Sequence, residues 1–242
     1  SVADFNGNVS TVTFEVVRDM SLLPKMPSIP LHQTLAEPEQ VSIVSKPGIQ
    51  VVWPKGSFYE KTPLNIEVIP SDGLGCFSPH FAITPTDAPV HYYYEINIEG
   101  LAVPAALRDK AFIARCEASG NIANCGATWI GNNLSTGVRV ISTYTIMVDT
   151  IAPKISILHF GPKMTDWKRM AFKISDNFSA KDRGRDLIYD AWVDGQWILM
   201  SLDGKSSTLT HEFDGQLLPG EHQLVIKVTD DRGNEAVLEK SF

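Results

Sequence analysis

The side chains able to do chemistry in this sequence are scattered. Its histidines, His32, His80, His91, His159, His211 and His222, stand alone, no two of them within three positions. A zinc site could draw on His211 and His222, which flank Glu212–Glu221. In a sandwich, however, such a connection commonly crosses between sheets, so the two imidazoles need not converge. Serine and aspartate are plentiful, but neither a G-x-S-x-G elbow nor a local Cys/His signature accompanies them. We therefore expect no enzyme here and assign no catalytic residue, no metal ligand and no cofactor. The carboxylates make a better case. Asp149, Asp176, Asp230 and Asp231 could gather near a junction between modules, and carboxylates with backbone carbonyls are what calcium prefers. The alternative is that each Asp caps its own turn.

Two further sets could act by bonding or contact. Cys116 and Cys125 flank a turn-rich stretch between two strand-like segments. A hairpin would bring them face to face, so the spacing allows either a disulfide or two small buried thiols on neighbouring strands. A bridge would imply an oxidising compartment. Cys76, beside Gly75 and Phe77, reads as a small buried hydrophobe. Among the aromatics, Tyr92, Tyr93 and Tyr94 run consecutively. Strand alternation would send Tyr93 to the face opposite Tyr92 and Tyr94, leaving at least one ring partly exposed. Trp192 and Trp197 flank the Asp194-Gly195 turn; Trp192 is expected in the core and Trp197 at a domain interface. Tyr93 and Trp197 are the candidate exposed contacts, since aromatic platforms stack on sugars or anchor protein partners.

The elements that must position these residues are strands. Short alternating segments rich in Val, Ile, Thr and aromatics recur between Gly, Asn, Asp and Pro clusters, with almost no helical period. In the last ninety residues the pattern predicts strands at Lys154–Leu158, Met170–Ser175, Leu187–Val193, Trp197–Ser201, Thr208–Phe213, Gln223–Thr229 and Ala236–Phe242, seven in all, which suits a sandwich. Asp194-Gly195 is a two-residue type I′ hairpin signal. A second set is predicted around Val41–Val44, Ile49–Trp53, Leu64–Val68, Tyr92–Ile98, Phe112–Glu117, Thr128–Ile130 and Tyr144–Val148. The fold class that follows is all-β, with tandem immunoglobulin-like sandwiches.

A repeat marks the organisation. Val2-Ala3-Asp4-Phe5-Asn6-Gly7-Asn8 matches Val228-Thr229-Asp230-Asp231-Arg232-Gly233-Asn234, and both read as strand, D-x-x-G-N turn, strand. The Asp can accept hydrogen bonds from the turn's amides while Gly-Asn supplies positive φ. An isolated hairpin is marginal in water, so residues 1–18 are expected to be the terminal hairpin of an upstream immunoglobulin-like domain. Pro24, Pro27, Pro30 and Pro38 then mark 19–38 as an extended linker. A middle sandwich follows over 39–151 and a seven-stranded immunoglobulin-like sandwich over 152–242.

Composition sets limits on partners. With 43% hydrophobic and 20% charged residues the chain should fold, and a formal net charge of -7 without a clustered basic patch argues against nucleic acid. No run approaches the roughly 18 apolar residues of a spanning helix.

Several stretches resemble one family. Val148-Asp149-Thr150-Ile151-Ala152-Pro153-Lys154-Ile155, Phe172-Lys173-Ile174-Ser175-Asp176-Asn177, Tyr189-Asp190-Ala191-Trp192-Val193-Asp194-Gly195-Gln196-Trp197 and the Asp230–Asn234 turn occur here in the order found in the C-terminal tail of Gram-negative lysostaphin-type zinc metallopeptidases. Trp53-Pro54-Lys55-Gly56-Ser57-Phe58-Tyr59-Glu60 and Trp129-Ile130-Gly131-Asn132-Asn133-Leu134 are similar to the domain before that tail. The resemblance implies an accessory region that positions or docks an upstream murein endopeptidase domain, in the periplasm or at the cell surface. The partners it implies are that peptidase domain and, beyond it, peptidoglycan or envelope proteins. The family's H-x-x-x-D and H-x-H zinc motifs are absent from this chain, so its catalytic residues map to no position here. The alternative is a glycan- or protein-binding module of a surface protein or adhesin.

Overall fold

The structure is a computed structural model that describes residues 1–15, 34–71, 73, 75–215 and 217–242. The chain is all-β: among the described residues the sole helix is a 3₁₀ segment, Ala105–Lys110. None is long and apolar enough to cross a membrane.

At the start of the chain, Val2–Ala3 pairs antiparallel with Val9–Ser10. Its turn confirms the repeat atom by atom. Asp4 Oδ1 accepts the amides of Asn6 and Asn8 at 2.9 Å, and Asn8 Nδ2 donates to Asp4 Oδ2 at 2.8 Å. In the matching turn Asp230 Oδ1 accepts the amides of Arg232 and Asn234 at 2.8 Å, and Asn234 Nδ2 donates to Asp230 Oδ2 at 2.7 Å. Gly7 (φ 80°) and Gly233 (φ 73°) supply the positive φ of the motif without help from the asparagines.

Most of the predicted linker, residues 19 to 33, lies outside the described residues. Its end is corrected: Thr34–Ala36 is an edge strand of the middle sandwich, Thr34 opposite Leu64 and Ala36 opposite Thr62. Three residues between prolines are too short to show a period, yet Ala36 is fully buried in the core.

The middle sandwich is larger than a seven-stranded plan. One sheet runs, edge to edge, through Thr34–Ala36, Thr62–Ile69, His80–Thr84, Thr143–Val148, Ala111–Cys116 and Ile122–Asn124. The facing sheet runs through Ser42–Lys46, Ile49–Trp53, Tyr94–Glu99, Asn133–Val138 and Thr128–Ile130. Alternation delivers Val51, Trp53, Tyr94, Ile96 and Ile98 to one side of the core and Leu64, Phe81, Ile113, Tyr144 and Ile146 to the other. Trp53 stacks on Tyr94 with centroids 5.1 Å apart. Fully burying each such side chain is worth about 1.5–3 kcal/mol.

The carboxy-terminal sandwich has two four-stranded sheets. Lys154–His159, Arg169–Ser175, Thr208–Glu212 and Ser201–Asp203 form one, and Gln196–Trp197, Ile188–Val193, Gln223–Thr229 and Glu235–Ser241 the other. In chain order these are the ABED and C′CFG sheets of an immunoglobulin sandwich. Met170, Phe172, Ile174, Ala191, Val193, Leu224, Ile226 and Val228 fill its core. Asp194 (φ 51°) and Gly195 (φ 76°) form the expected reversal, both at positive φ.

The predicted strand Trp197–Ser201 is corrected to two. Gln196–Trp197 pairs with one sheet and Ser201–Asp203 with the other, the chain passing between them at the buried Met200. Trp192 is corrected as well. It stands opposite Trp197 on the outer face of its sheet, while its neighbours Ala191 and Val193 point into the core. Alternation around Ala191 and Val193 leaves the larger ring the half-buried position.

Candidate functional site

The two sandwiches meet in a joint made by three segments, which together with their cores form one compact unit. The last strand of the middle sandwich, Thr143–Val148, ends into Asp149. The Arg169–Ser175 strand ends into Asp176. The turn between Gln223–Thr229 and Glu235–Ser241 presents Asp230. Because each Asp follows directly on a strand end or turn, backbone pairing fixes where its carboxylate can reach. One oxygen of each of Asp149, Asp176 and Asp230 lies within 4.8 Å of the others.

Asp149 and Asp230 are 1% and 4% exposed. Asp149 Oδ1 accepts the Ile151 amide at 3.0 Å and the Asn177 side-chain amide at 3.2 Å, whereas its Oδ2 is buried with no hydrogen-bond partner. Asp176 Oδ1 is likewise buried and unpartnered. Asn234 ties the turn to the joint, its Nδ2 donating to the Asp149 carbonyl at 3.0 Å as well as to Asp230. Burial pushes the Asp149 carboxyl above the ordinary carboxylate range, against the pull of its two donors. Burial also pushes Asp176 up to about 6, and the like charges of Asp149, Asp230 and Asp231 act in the same direction.

Of the four aspartates singled out in the sequence, Asp231 is separate. It pairs with Arg232 at 3.2 Å and accepts the Asn124 amide at 2.8 Å. Arg232 also donates to the Ala111 carbonyl, and Lys110 donates to the Arg232 carbonyl, both at 2.8 Å. These bonds latch the D-x-x-G-N turn of one sandwich onto the other.

A second contact sits beside this latch and was not foreseen from the sequence. The 176–187 loop of the carboxy-terminal sandwich lays Ser179–Ala180 parallel against Ile122–Asn124, adding a strand to the middle sandwich's sheet. Phe178 packs on Phe112, centroids 4.9 Å apart, covering the outward face formed by Phe112, Ala114 and Met147. Asp182, at φ 52°, enters a polar pocket where its Oδ2 lies 2.8 Å from Arg115 and accepts the Cys125 thiol at 3.5 Å, and its Oδ1 accepts the Arg139 amide at 3.1 Å. Burial first, then the Asp182 charge, pushes the Cys125 thiol up, so it stays protonated and unreactive.

Of the two arrangements the Cys116–Cys125 spacing allowed, the structure has the thiols and not the bridge. Cys116 stands opposite Ile122, and Cys125 lies beyond the paired residues as a free thiol. The two also belong to opposite faces. Cys125 joins the inner core with Ile113, while Cys116 shares the outer face of Phe112 and Ala114, its Sγ 3.7 Å from His80 Nδ1. Cys76 packs on that outer cluster, its Sγ 3.6 Å from His80 Nε2.

His211 and His222 are not drawn together: His211 Nδ1 faces the Leu199 carbonyl at 2.9 Å, and His222 Nδ1 faces Asp194 at 2.6 Å. Tyr94 is fully buried, while Tyr92 and Tyr93 are both exposed because the strand begins only at Tyr94. Tyr93, 41% exposed, lies under the guanidinium of Arg183, 4.6 Å from its centroid. Trp197 is 58% exposed on the open face of its sheet, its indole donating to Asp190, rather than packed at a domain interface. Tyr59, His91 and Tyr92 form a further exposed aromatic group, with Tyr59 Oη 2.8 Å from His91 Nδ1.

A stretch of 56 residues is 43% identical to the uncharacterized protein YvnB of Bacillus subtilis (strain 168), amounting to 23% of this chain and 4% of that protein. The chain thus matches a small fraction of this relative's length. Residues 33–149, which are the middle sandwich from its edge strand to the joint aspartate, are similar to the Zu5-like domain.

Proposed function

We propose that this chain is a non-catalytic positioning region of a cell-envelope protein, two interlocked sandwiches that hold a neighbouring domain at a fixed distance and angle. The neighbour we propose is a peptidoglycan peptidase, from the resemblance of the joint and turn residues to lysostaphin-type metallopeptidases, with the periplasm or outer surface of a Gram-negative bacterium as its place. The observation that supports positioning is the Ser179–Ala180 strand of one sandwich completing the sheet of the other. Backbone pairing, an apolar cover and a buried ion pair across one joint oppose hinge motion, which is the physical requirement for a spacer. The test compares the parent protein with a form lacking residues 34–242. Cross-linked soluble peptides should be cut equally by both, and intact sacculi more slowly by the shortened form. Equal action on sacculi, or a parent without H-x-x-x-D and H-x-H motifs, would reject the reading.

The exposed rings of Tyr59, Tyr92, Tyr93 and Trp197 favour a second reading, a glycan- or protein-binding module. Under it, this chain alone should co-sediment saturably with purified peptidoglycan, and Tyr93→Ala or Trp197→Ala should weaken that binding several-fold. A pure spacer would stay in solution.

A further inference from the structure

We infer that the joint binds one calcium ion, with Asp149, Asp176 and Asp230 as its protein ligands. Calcium–oxygen bonds of 2.3–2.6 Å place ligand atoms on opposite sides of the ion about 4.8 Å apart. The three carboxylates already meet that condition, one oxygen of each lying within 4.8 Å of the others.

Beyond their proximity, two of these carboxylates carry unpartnered buried oxygens. Asp149 is almost wholly buried, its Oδ1 is used by two donors, and its Oδ2 faces none; Asp176 Oδ1 is in the same state. Leaving buried carboxylate oxygens unpaired is costly, and like charges around them add to the cost. The neighbouring cations are engaged elsewhere, Arg232 with Asp231 and Ala111 and Lys110 with the Arg232 carbonyl. A bound cation would satisfy the two orphaned oxygens and offset the repulsion.

The donors decide which cation. All three are carboxylates, with no histidine or cysteine in the group, which selects a hard ion over zinc or copper. Magnesium demands near-ideal octahedral geometry, whereas calcium accepts six to eight oxygens in flexible arrangements. Asp176 is only half-buried, so water can complete the shell from that side. The turn-capping alternative also holds, and the two are compatible. Capping uses Asp149 Oδ1 and the Asp230 oxygens, and a carboxylate oxygen has lone pairs for both. Occupancy would tie the end of one sandwich to two loops of the other, so the ion would stiffen the joint.

The test strips the full chain with chelator, then measures calcium by equilibrium dialysis with elemental analysis, by titration calorimetry and by thermal unfolding. One calcium per chain is expected, with Tm raised by roughly 5–10 °C at a hundredfold excess over Kd. Asp176→Asn should weaken binding at least about tenfold, since ligand charge sets calcium affinity. Asp4→Asn, in the matching turn of the first hairpin, should leave it unchanged. Wild-type protein that leaves dialysis without calcium would overturn the site whether or not the variant folds. So would undiminished binding by a folded Asp176→Asn, or a magnesium response equal to that of calcium.

Discussion

Asp182 of the carboxy-terminal sandwich reaches Arg115 of the middle one at 2.8 Å, with both side chains at most 10% exposed. Neither module has this pair alone; Asp182 meets Arg115 only when they are docked, whereas Arg115 also has Glu117 of its own sandwich at 3.2 Å. Replacing Asp182 by Ala should leave the Arg115 guanidinium buried with only Glu117 beside it, at 3.2 Å. The cost should be roughly 3 kcal/mol, the range for breaking one side of a buried pair. Urea unfolding of wild type and Asp182→Ala measures it. A change under about 0.5 kcal/mol, typical of an uninvolved surface site, would mean the contact does not lock the joint.

Gly184 tests the docked strand. A Cβ there would lie 2.2 Å from the Asn124 carbonyl oxygen, a backbone atom that cannot swing aside. Gly184→Ala should therefore lift the 176–187 loop from the Ile122–Asn124 edge. The amide of Lys181, which donates to the Asn124 carbonyl at 2.8 Å, should exchange its hydrogen much faster. The Trp53–Tyr94 core should keep its protection. Unchanged exchange at Lys181 would contradict the expectation.

The two D-x-x-G-N turns offer a matched comparison. Asn234 is buried and bonds Asp230 and the Asp149 carbonyl, whereas Asn8 is exposed and its side chain bonds Asp4. Asn234→Ala should destabilise the sandwich pair by roughly 1–3 kcal/mol, because buried acceptors lose their donor. Asn8→Ala should leave the main transition within about 0.5 kcal/mol of wild type. Scanning calorimetry of both variants decides, and equal effects would remove the distinction.

His222 sets a pH expectation. Its Nδ1 faces Asp194 at 2.6 Å and its Nε2 the Leu218 carbonyl at 2.7 Å, an arrangement that a doubly protonated ring satisfies on both sides. The hydrogen bond to Asp194 raises its pKa above the ordinary 6.5. A raised folded-state value means this contribution is complete below 6.5 and is lost as pH climbs through the folded value. His222→Gln should flatten that part of the stability profile above pH 6.5. An NMR titration placing the His222 midpoint below 6.5 would reverse the sign.

Much of the architecture was legible in the residues. Alternation placed the strands Ile49–Trp53, Thr128–Ile130 and Gln223–Thr229 at their observed bounds. The repeat of Asp4–Asn8 at Asp230–Asn234 announced two turns with the same hydrogen bonds. Where the local pattern is weak, the residues alone do not fix the structure. Thr34–Ala36 is too short for a period, Trp197–Ser201 reads as one strand but changes sheets at Met200, and the Cys116–Cys125 spacing alone left open a bridge that the register, with Cys116 opposite Ile122, decides against.

What the sequence determined by itself is local: which residues alternate, where glycine reverses the chain, which Asp can cap its own turn. Tertiary structure alone decided that Asp149, Asp176 and Asp230 converge, that Asp182 finds Arg115, and that Trp192 faces outward. The physical reason is range. Period and turn chemistry act over a few residues, but the joint brings together groups separated by tens of residues, whose meeting depends on how two sheets dock rather than on any pattern within one of them.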